Sequence, residues 1–571
     1  MKKLFNSLAM AFAVSLSVGL CVSCSDTWDS HYSVDPNSPK STLYQKMEAD
    51  PDMTNFVKVL NTTYLLNGEK PSTRTYAQLL SGDQFLTVFA PMNESLGEDE
   101  WATYMKENKT AEENLQTAKI FLNNHISRSK FLYDGTTKRV AMMSTKRYEV
   151  SNGKIEKAVF GKTNDPCTNG TIHMLKSKLD YNPNIYEYLT TAEEYKDNLG
   201  KFLLKHTKME IDPDKSISAG YYNENSELVY ADSVMVEKSP ILDRFGFINK
   251  EDSLYYVILP KSAGWDKALA QSSTNFKFSY HEGDEESKIE ADSLHEYWSN
   301  CALLTDAFFN MNEILQPYNN PERGNKLVST LFDYEKDPKK PLPLHTYVSP
   351  FNDSEFFDFV DTIPCSNGKI FICEEWPFDI NYTYGAPIII EAEDESMLSN
   401  LSKGATKNIA TVRSFDVEDE AGNVTTYYPS DEHVMRLNNK SSWQADYRIP
   451  NTLSGWNELK VVIAPCNITV DKKGTKATPN QFSCKITYLS EGEYKDYTMQ
   501  TVSGSDTTFF SNPYKLDTIT VAVVNFTECF YQKNTSGVSL QFNQKTRSGN
   551  AYSKEVYLDC LIVEPTEIPE N

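Results

Sequence analysis

Beyond its first twenty residues this 571-residue sequence has no apolar run near the ~20 residues a helix needs to span a bilayer. No helical membrane span is therefore expected downstream of that leader. Cysteine is sparse, ten in all, with eight after Cys24. An exported chain can oxidise its thiols. Several of these eight, however, sit in strand-like runs such as "KIFICEEW" and "YLDCLIVE", where a thiol serves as a small hydrophobe. No Cys/His cluster has zinc spacing. G-x-S-x-G, H-E-x-x-H, the P-loop and G-x-G-x-x-G are all missing. A glycoside hydrolase would need two carboxylates facing across a cleft, and no signature singles out such a pair. Positive charge is in deficit, 56 Lys and Arg against 79 Asp and Glu, a net of −23. Such a surface repels nucleic acid and other polyanions and favours neutral or basic ligands.

What is present begins with "MKKLFNSLAMAFAVSLSVGL", two lysines before an apolar stretch, the pattern of a secretion signal. Cys21 and Cys24 follow in "CVSCSDTWDSHY". C-x-x-C serves redox and zinc sites, but no strand presents this pair and no second C-x-x-C follows. The segment resembles a bacterial lipoprotein signal, in which a small-residue box closes on the lipidated cysteine. Val22 and Ser23 suit the slots before Cys24, whereas Leu20 is too large for the slot before Cys21. The resemblance implies a signal peptide over 1–23, lipid on Cys24 and a tether over 24–39. An ordinary secretory peptide cleaved nearby is the alternative. Asp26 and Asp29 resemble the acidic export signal of surface lipoproteins in one group of Gram-negative bacteria. Loss of Lys2 and Lys3 with the leader takes the charge from −23 to −25.

Residues 40–64 place Leu43, Met47, Met53, Phe56, Val57 and Leu60 at helical spacing, broken at Asp50-Pro51. In "DQFLTVFAPMNESL" the run to Ala90 reads as a buried strand, Pro91 ends it and Asn93 is placed to cap the next helix. "NGTIHMLKSKLDYNPNIYEYL" reads as turn, strand and terminal helix. "FLTVFAPMNESL", "LNNHI" and "NGTIHMLKSKL" together resemble the boxes of the fasciclin domain, with His125 and His173 at its two histidines and Asn124 in place of a tyrosine. The resemblance implies an α/β adhesion or contact module over 40–190, with both histidines structural. "SLYYVILPKSAGWDKAL" and "IPCSNGKIFICEEWPFDI" repeat the strand–Pro–helix and Asn-Gly units, with Phe371 where histidine is usual. A second, degenerate domain is expected over 191–385.

After "NYTYGAP" the texture changes to short strands between Gly, Asn, Ser and Pro turns, the mark of a sandwich or jelly roll. "IIIEAEDES" and "VYLDCLIVE" are its expected first and last strands. "SSWQADYRIPNTLSGWNELKVVIAP" resembles a hairpin of family-six-like carbohydrate-binding modules. That resemblance implies a structural calcium on Glu391, Glu393 and Asp559, whose hard oxygens suit the ion. The other reading of these acids is solvated strand residues. Trp443 and Trp456 are both expected to point into the sandwich.

The fold class expected is α+β: two tandem fasciclin-like α/β domains and then an all-β jelly-roll-like sandwich over 388–571. The expected role is a non-catalytic, lipid-anchored binding protein of the outer membrane, facing the cell exterior. Its expected partner is an extracellular glycan or the subunits of a SusC/SusD-type importer, whose accessory lipoproteins this layout resembles. A cell–cell or matrix adhesin is the alternative and a glycoside hydrolase a third. No catalytic residue, nucleic-acid partner or cofactor other than calcium is expected.

Overall fold

A computed structural model describes residues 38–567 apart from 69, 212, 215, 223–227, 233–234, 313–325, 333–340, 352–356, 419–421, 470, 472–473, 533–535 and 546–550. Cys21, Cys24, Asp26 and Asp29 lie outside the described residues. The chain divides into two compact units, Met1–Asn182 and Pro183–Asn571.

The first unit is built on a seven-stranded sheet in the order Ile126–Ser127, Leu86–Pro91, Gly170–Leu175, Ala158–Cys167, Lys154–Ile155, Arg147–Ser151, Lys138–Ala141. Leu86–Pro91 and Gly170–Leu175 run parallel at its centre, and every residue of both is buried. A strand covered on both faces has to be apolar on both; "LTVFAP" is, except for Thr87, whose hydroxyl accepts from Phe131 N (3.1 Å) and donates to the Ser129 carbonyl (2.8 Å). Leu86, Val88 and Ala90 pack with Leu43, Phe56, Trp101 and Phe121 from the helices. Phe89 packs on the other face with Phe131, Tyr148 and Val150.

The short helices start on caps written in the sequence. Thr42, Thr75 and Thr110 form capping boxes with Gln45, Gln78 and Glu113, and Asp50 caps the turn that begins at Pro51. Asn93 departs from expectation. It caps the helix before it, not the one after. Its Oδ1 accepts from Asn55 N (3.0 Å), in the helix Thr54–Thr62, which has no side-chain cap of its own. Its Nδ2 donates to the Pro51 carbonyl (2.8 Å). The chain leaves Pro91 beside that earlier turn, so the nearest unpaired N–H groups belong to it.

The second unit opens with a smaller version of the same arrangement. Its sheet runs Phe308–Asn310, Tyr255–Pro260, Gly368–Cys373, Phe359–Cys365, again with two central parallel strands. The repeat extends to single atoms. Asn169 accepts from Leu43 N (2.8 Å) and donates to the Leu80 carbonyl (2.9 Å). Asn367 accepts from Ile185 N (2.9 Å) and donates to the Ile248 carbonyl (2.7 Å). Leu86 N and Tyr255 N each donate at 3.0 Å to the backbone carbonyl of their own asparagine. In both modules the Asn-Gly turn thus clamps an entry helix to the parallel pair.

That equivalence moves the boundary. The helix Ile185–Thr191, expected to end the first domain, is the entry helix of the second. Ile185 and Leu189 pack with Val257 and Ile370, and the first unit ends at Asn182 instead of 190. The apolar pattern of "NIYEYL" indicates a buried face but not which core buries it.

The sandwich completes the second unit. One sheet runs Thr406–Thr411, His433–Asn438, Val556–Pro565, Gly455–Ala464, Asp517–Phe526, with Ile388–Glu391 also paired to Val556–Pro565. The other runs Leu398–Leu401, Trp443–Ile449, Val538–Gln544, Gln481–Ser490, Glu493–Tyr497, with Phe509–Phe510 paired to Gln481–Ser490. Between them lie Met435, Tyr447, Leu459, Val461, Phe482, Phe542 and Leu561. Cys167, Cys301, Cys373, Cys466, Cys484 and Cys560 are buried thiols.

Sandwich and preceding module share a core of their own. Phe276, Phe278 and Tyr384 pack with Leu453 and Cys529, and Trp298 meets Tyr531 edge-on at 5.0 Å. Backbone bonds cross the junction, from Ser454 N to Asn275 O (3.0 Å) and from Cys529 N to Lys277 O (2.7 Å).

Candidate functional site

Glu391 ends the first sandwich strand, opposite Cys560 on the last one. Ala392 N donates to the Asp559 carbonyl (3.0 Å). Glu393 follows in the turn that leaves this strand, close enough to Glu391 for each charge to act on Asp559. Ser430 ties the group together: its N–H donates to Asp559 Oδ1 (2.9 Å) and its hydroxyl to Glu391 Oε1 (2.6 Å). Glu391 Oε2 and both carboxylate oxygens of Glu393 are buried without a hydrogen-bond partner. Burial, with the charges of Glu391 and Glu393 adding to it, pushes the Asp559 carboxyl up to about 7. Burial likewise raises Glu393, helped by Glu391. Three acids converge here, and no basic side chain is bonded to them among the described residues.

A turn brings further donors. Asp431 and Glu432 take left-handed backbone angles (φ 45° and 59°). Ligand atoms of Glu393, Asp431 and His433 lie within 4.8 Å of one another. His433 Nδ1 donates to the Asp431 carbonyl (2.5 Å). Ser430, Asp431 and His433 are absent from the sequence reading. Their only signal is the turn-prone "YYPSDEHV", which gives no register with strands more than a hundred residues away. The residues present fit a hard divalent cation. Orphaned buried carboxylate oxygens are costly unless a cation compensates them, and an oxygen-rich set matches calcium.

The two fasciclin-box histidines are fully committed to structure. His125 Nδ1 donates to the Phe121 carbonyl (2.7 Å) while Nε2 accepts from Leu179 N (2.9 Å). His173 stacks on Phe89 (5.1 Å), accepts from Asn164 N (3.4 Å) and donates to the Phe131 carbonyl (3.3 Å). Burial holds both down to about 4. The native state therefore favours the neutral ring. The stability this provides is present above pH 6.5 and is lost as pH falls toward 4, up to roughly 3 kcal/mol per ring. Calorimetric melts of the full chain should show a transition whose midpoint falls steeply over that window. His173→Phe, which copies Phe371 of the second module, should flatten the slope. An unchanged slope would remove the ring from the account.

Asp306, Ser329, His345 and Tyr347 hold the residue types of a hydrolytic triad but not its wiring. Ser329 Oγ and Tyr347 OH both donate to the Asp306 carboxylate, and Ser329 is fully buried. His345 Nδ1 lies 3.2 Å from Asp306, off the hydrogen-bonding direction. The serine hydrogen goes to the acid, so no base activates the oxygen.

The two sandwich tryptophans part ways. Trp443 is buried against Phe542 (5.6 Å). Trp456, expected beside it, is on the outer face. In Gly455–Ala464 the residues Asn457, Leu459 and Val461 are buried, while Trp456, Glu458 and Lys460 are partly exposed. One step of strand parity decides it. Trp456 lines a cleft of about 930 Å³ at the module junction. A second cleft, of about 680 Å³, opens at Phe415 and Tyr514.

Comparison with known proteins bears on this architecture. The fasciclin domain model matches residues 51–180. No curated protein matches the chain. Among solved structures, a FAS1 domain pair from the insect cell adhesion molecule fasciclin I is 13% identical with a TM-score of 0.17, covering 52% of this chain and 90% of that one. The TmCBM61 structure with β-1,4-galactotriose is 6% identical with a TM-score of 0.16, covering 29% and 90%. The catalytic domain of a GH87 α-1,3-glucanase, with tetrasaccharides, is 13% identical with a TM-score of 0.16, covering 32% and 29%. At such scores these likenesses decide neither fold nor ligand. The family match and the repeated clamp stand on their own.

Proposed function

We propose that this protein is a non-catalytic glycan-binding lipoprotein of the bacterial cell surface, anchored through Cys24 to the outer membrane. A calcium ion held by Glu391, Glu393 and Asp559 fastens the first and last strands of its sandwich. The observation that carries this reading is the set of orphaned carboxylate oxygens where those strands meet, in a sandwich that follows a fasciclin domain. It is the arrangement that the carbohydrate-module resemblance implies. The leader sequence and the acidic residues after Cys24 support the anchor and its outward orientation. A role beside an importer of the SusC/SusD type fits the same layout, with the fasciclin-like modules as contact surfaces.

Two measurements test this directly. Mass spectrometry of the mature N-terminus should find diacyl lipid on Cys24, and Cys24→Ala should release the protein from membranes. Release by Cys21→Ala alone would overturn the assignment. Incubation of the purified chain with neutral polysaccharides should yield no reducing ends, and steady turnover of any of them would refute the non-catalytic role.

A further inference from the structure

We propose that the cleft between the second module and the sandwich binds a short neutral oligosaccharide, with Trp456 as its stacking platform. The inference rests on the glycan-binding reading and gives it a place. Trp456 stands opposite Asn525 on the neighbouring strand. Unlike Trp443, it is no part of the sandwich core. Gln271, Asn275 and Asn381 approach from the preceding module, and Thr527 from the sandwich. An aromatic surface ringed by amides and a hydroxyl is the chemistry that recognises a sugar: the ring covers an apolar C–H face, and the amides both give and accept hydrogen bonds to hydroxyls. The cleft's charged residues are Lys277 and Glu567, one of each sign and both exposed. No net field there selects an ion. Its 930 Å³ falls within the roughly 300–1,000 Å³ of small-molecule sites.

The walls are fixed before any ligand arrives. Ser454 Oγ accepts from Lys277 N (3.0 Å) and donates to the Thr274 carbonyl (2.9 Å). Asn275 Nδ2 donates to the Ser454 carbonyl (2.9 Å), a bond that engages the amide N–H and not the amide oxygen. Gly455, beside the platform, has φ +102° and would place a Cβ 3.2 Å from Asn275 Nδ2. Glycine keeps that approach open. With both sides locked across the junction, binding bears little ordering cost.

The test uses the full mature chain and a defined panel: cellotriose, maltotriose, galactotriose and mannotriose, with a trigalacturonate as charged control. Binding is read by tryptophan fluorescence and by calorimetry. At least one neutral trisaccharide is expected to bind and shift the emission. Trp456→Ala should weaken it about tenfold or more, with the melting temperature little changed. Gln271→Ala, an exposed position outside the sandwich, should weaken it several-fold and guards against a folding artefact at Trp456. Undiminished binding in both variants would overturn this site while leaving glycan binding intact. Binding by no neutral member would overturn both. Preference for the trigalacturonate would overturn the neutral class.

Discussion

Gly368→Ala is expected to destabilise the second fasciclin-like module by about 3–5 kcal/mol, near the upper limit for a single substitution. A Cβ at this position would sit 1.8 Å from the Tyr255 carbonyl oxygen and 2.8 Å from its carbon. Both atoms belong to the central parallel ladder, where Tyr255 pairs with Gly368 itself, so neither can withdraw without parting the two strands. Gly170→Ala should behave alike in the first module, with Cβ 2.0 Å from the Leu86 carbonyl oxygen. Gly97, which has open space where a Cβ would go and is the N-cap of a helix, should accept alanine at a cost of roughly 0.5–1 kcal/mol. Denaturant midpoints of the three variants check the ordering. Equal midpoints would mean that the Asn-Gly turns are not the clamps described.

Stripping divalent cations from the chain is expected to lower the melting temperature of the sandwich-containing unit. A calcium ion at a thousandfold excess over its Kd contributes about 4 kcal/mol, or roughly 10 °C for a domain of this size. Asp559→Asn makes the test specific. Without calcium the variant should be at least as stable as the parent, because one of three crowded carboxyls no longer needs a proton or a counter-ion. With calcium it should gain little. A parent that melts identically in chelator and in calcium would dissolve the site. A variant that still responds fully would move the ion toward Glu393, Asp431 and His433.

The parts of this molecule legible in its sequence are those governed by local rules. Buried strands end on prolines, and Asn-Gly turns precede the paired strands. Each is a contact made within a few residues, or a turn whose geometry its own residues dictate. What stayed hidden depends on the partner chosen across a distance. The helix at Ile185 has a clear apolar face, yet only Asn367 and the second core assign it to a module. Asn93 has the chemistry of a cap and serves a helix that precedes it. Trp456 differs from Trp443 by one step of alternation, and only the strand register shows it. At the acidic site the resemblance points to Glu391, Glu393 and Asp559, which the structure brings together. Ser430, which bonds two of them, comes from a turn with no strand pattern to place it.

The most direct test of the central claim is a glycan array probed with the full mature chain, in calcium and after chelation with exchange into metal-free buffer. The account predicts selective binding to neutral glycans in calcium, weakened when the ion is removed, with no signal on nucleic acid or acidic polysaccharide. No binding to any glycan in the presence of calcium would contradict it and leave the fasciclin-like modules, as adhesive or importer contacts, to carry the function.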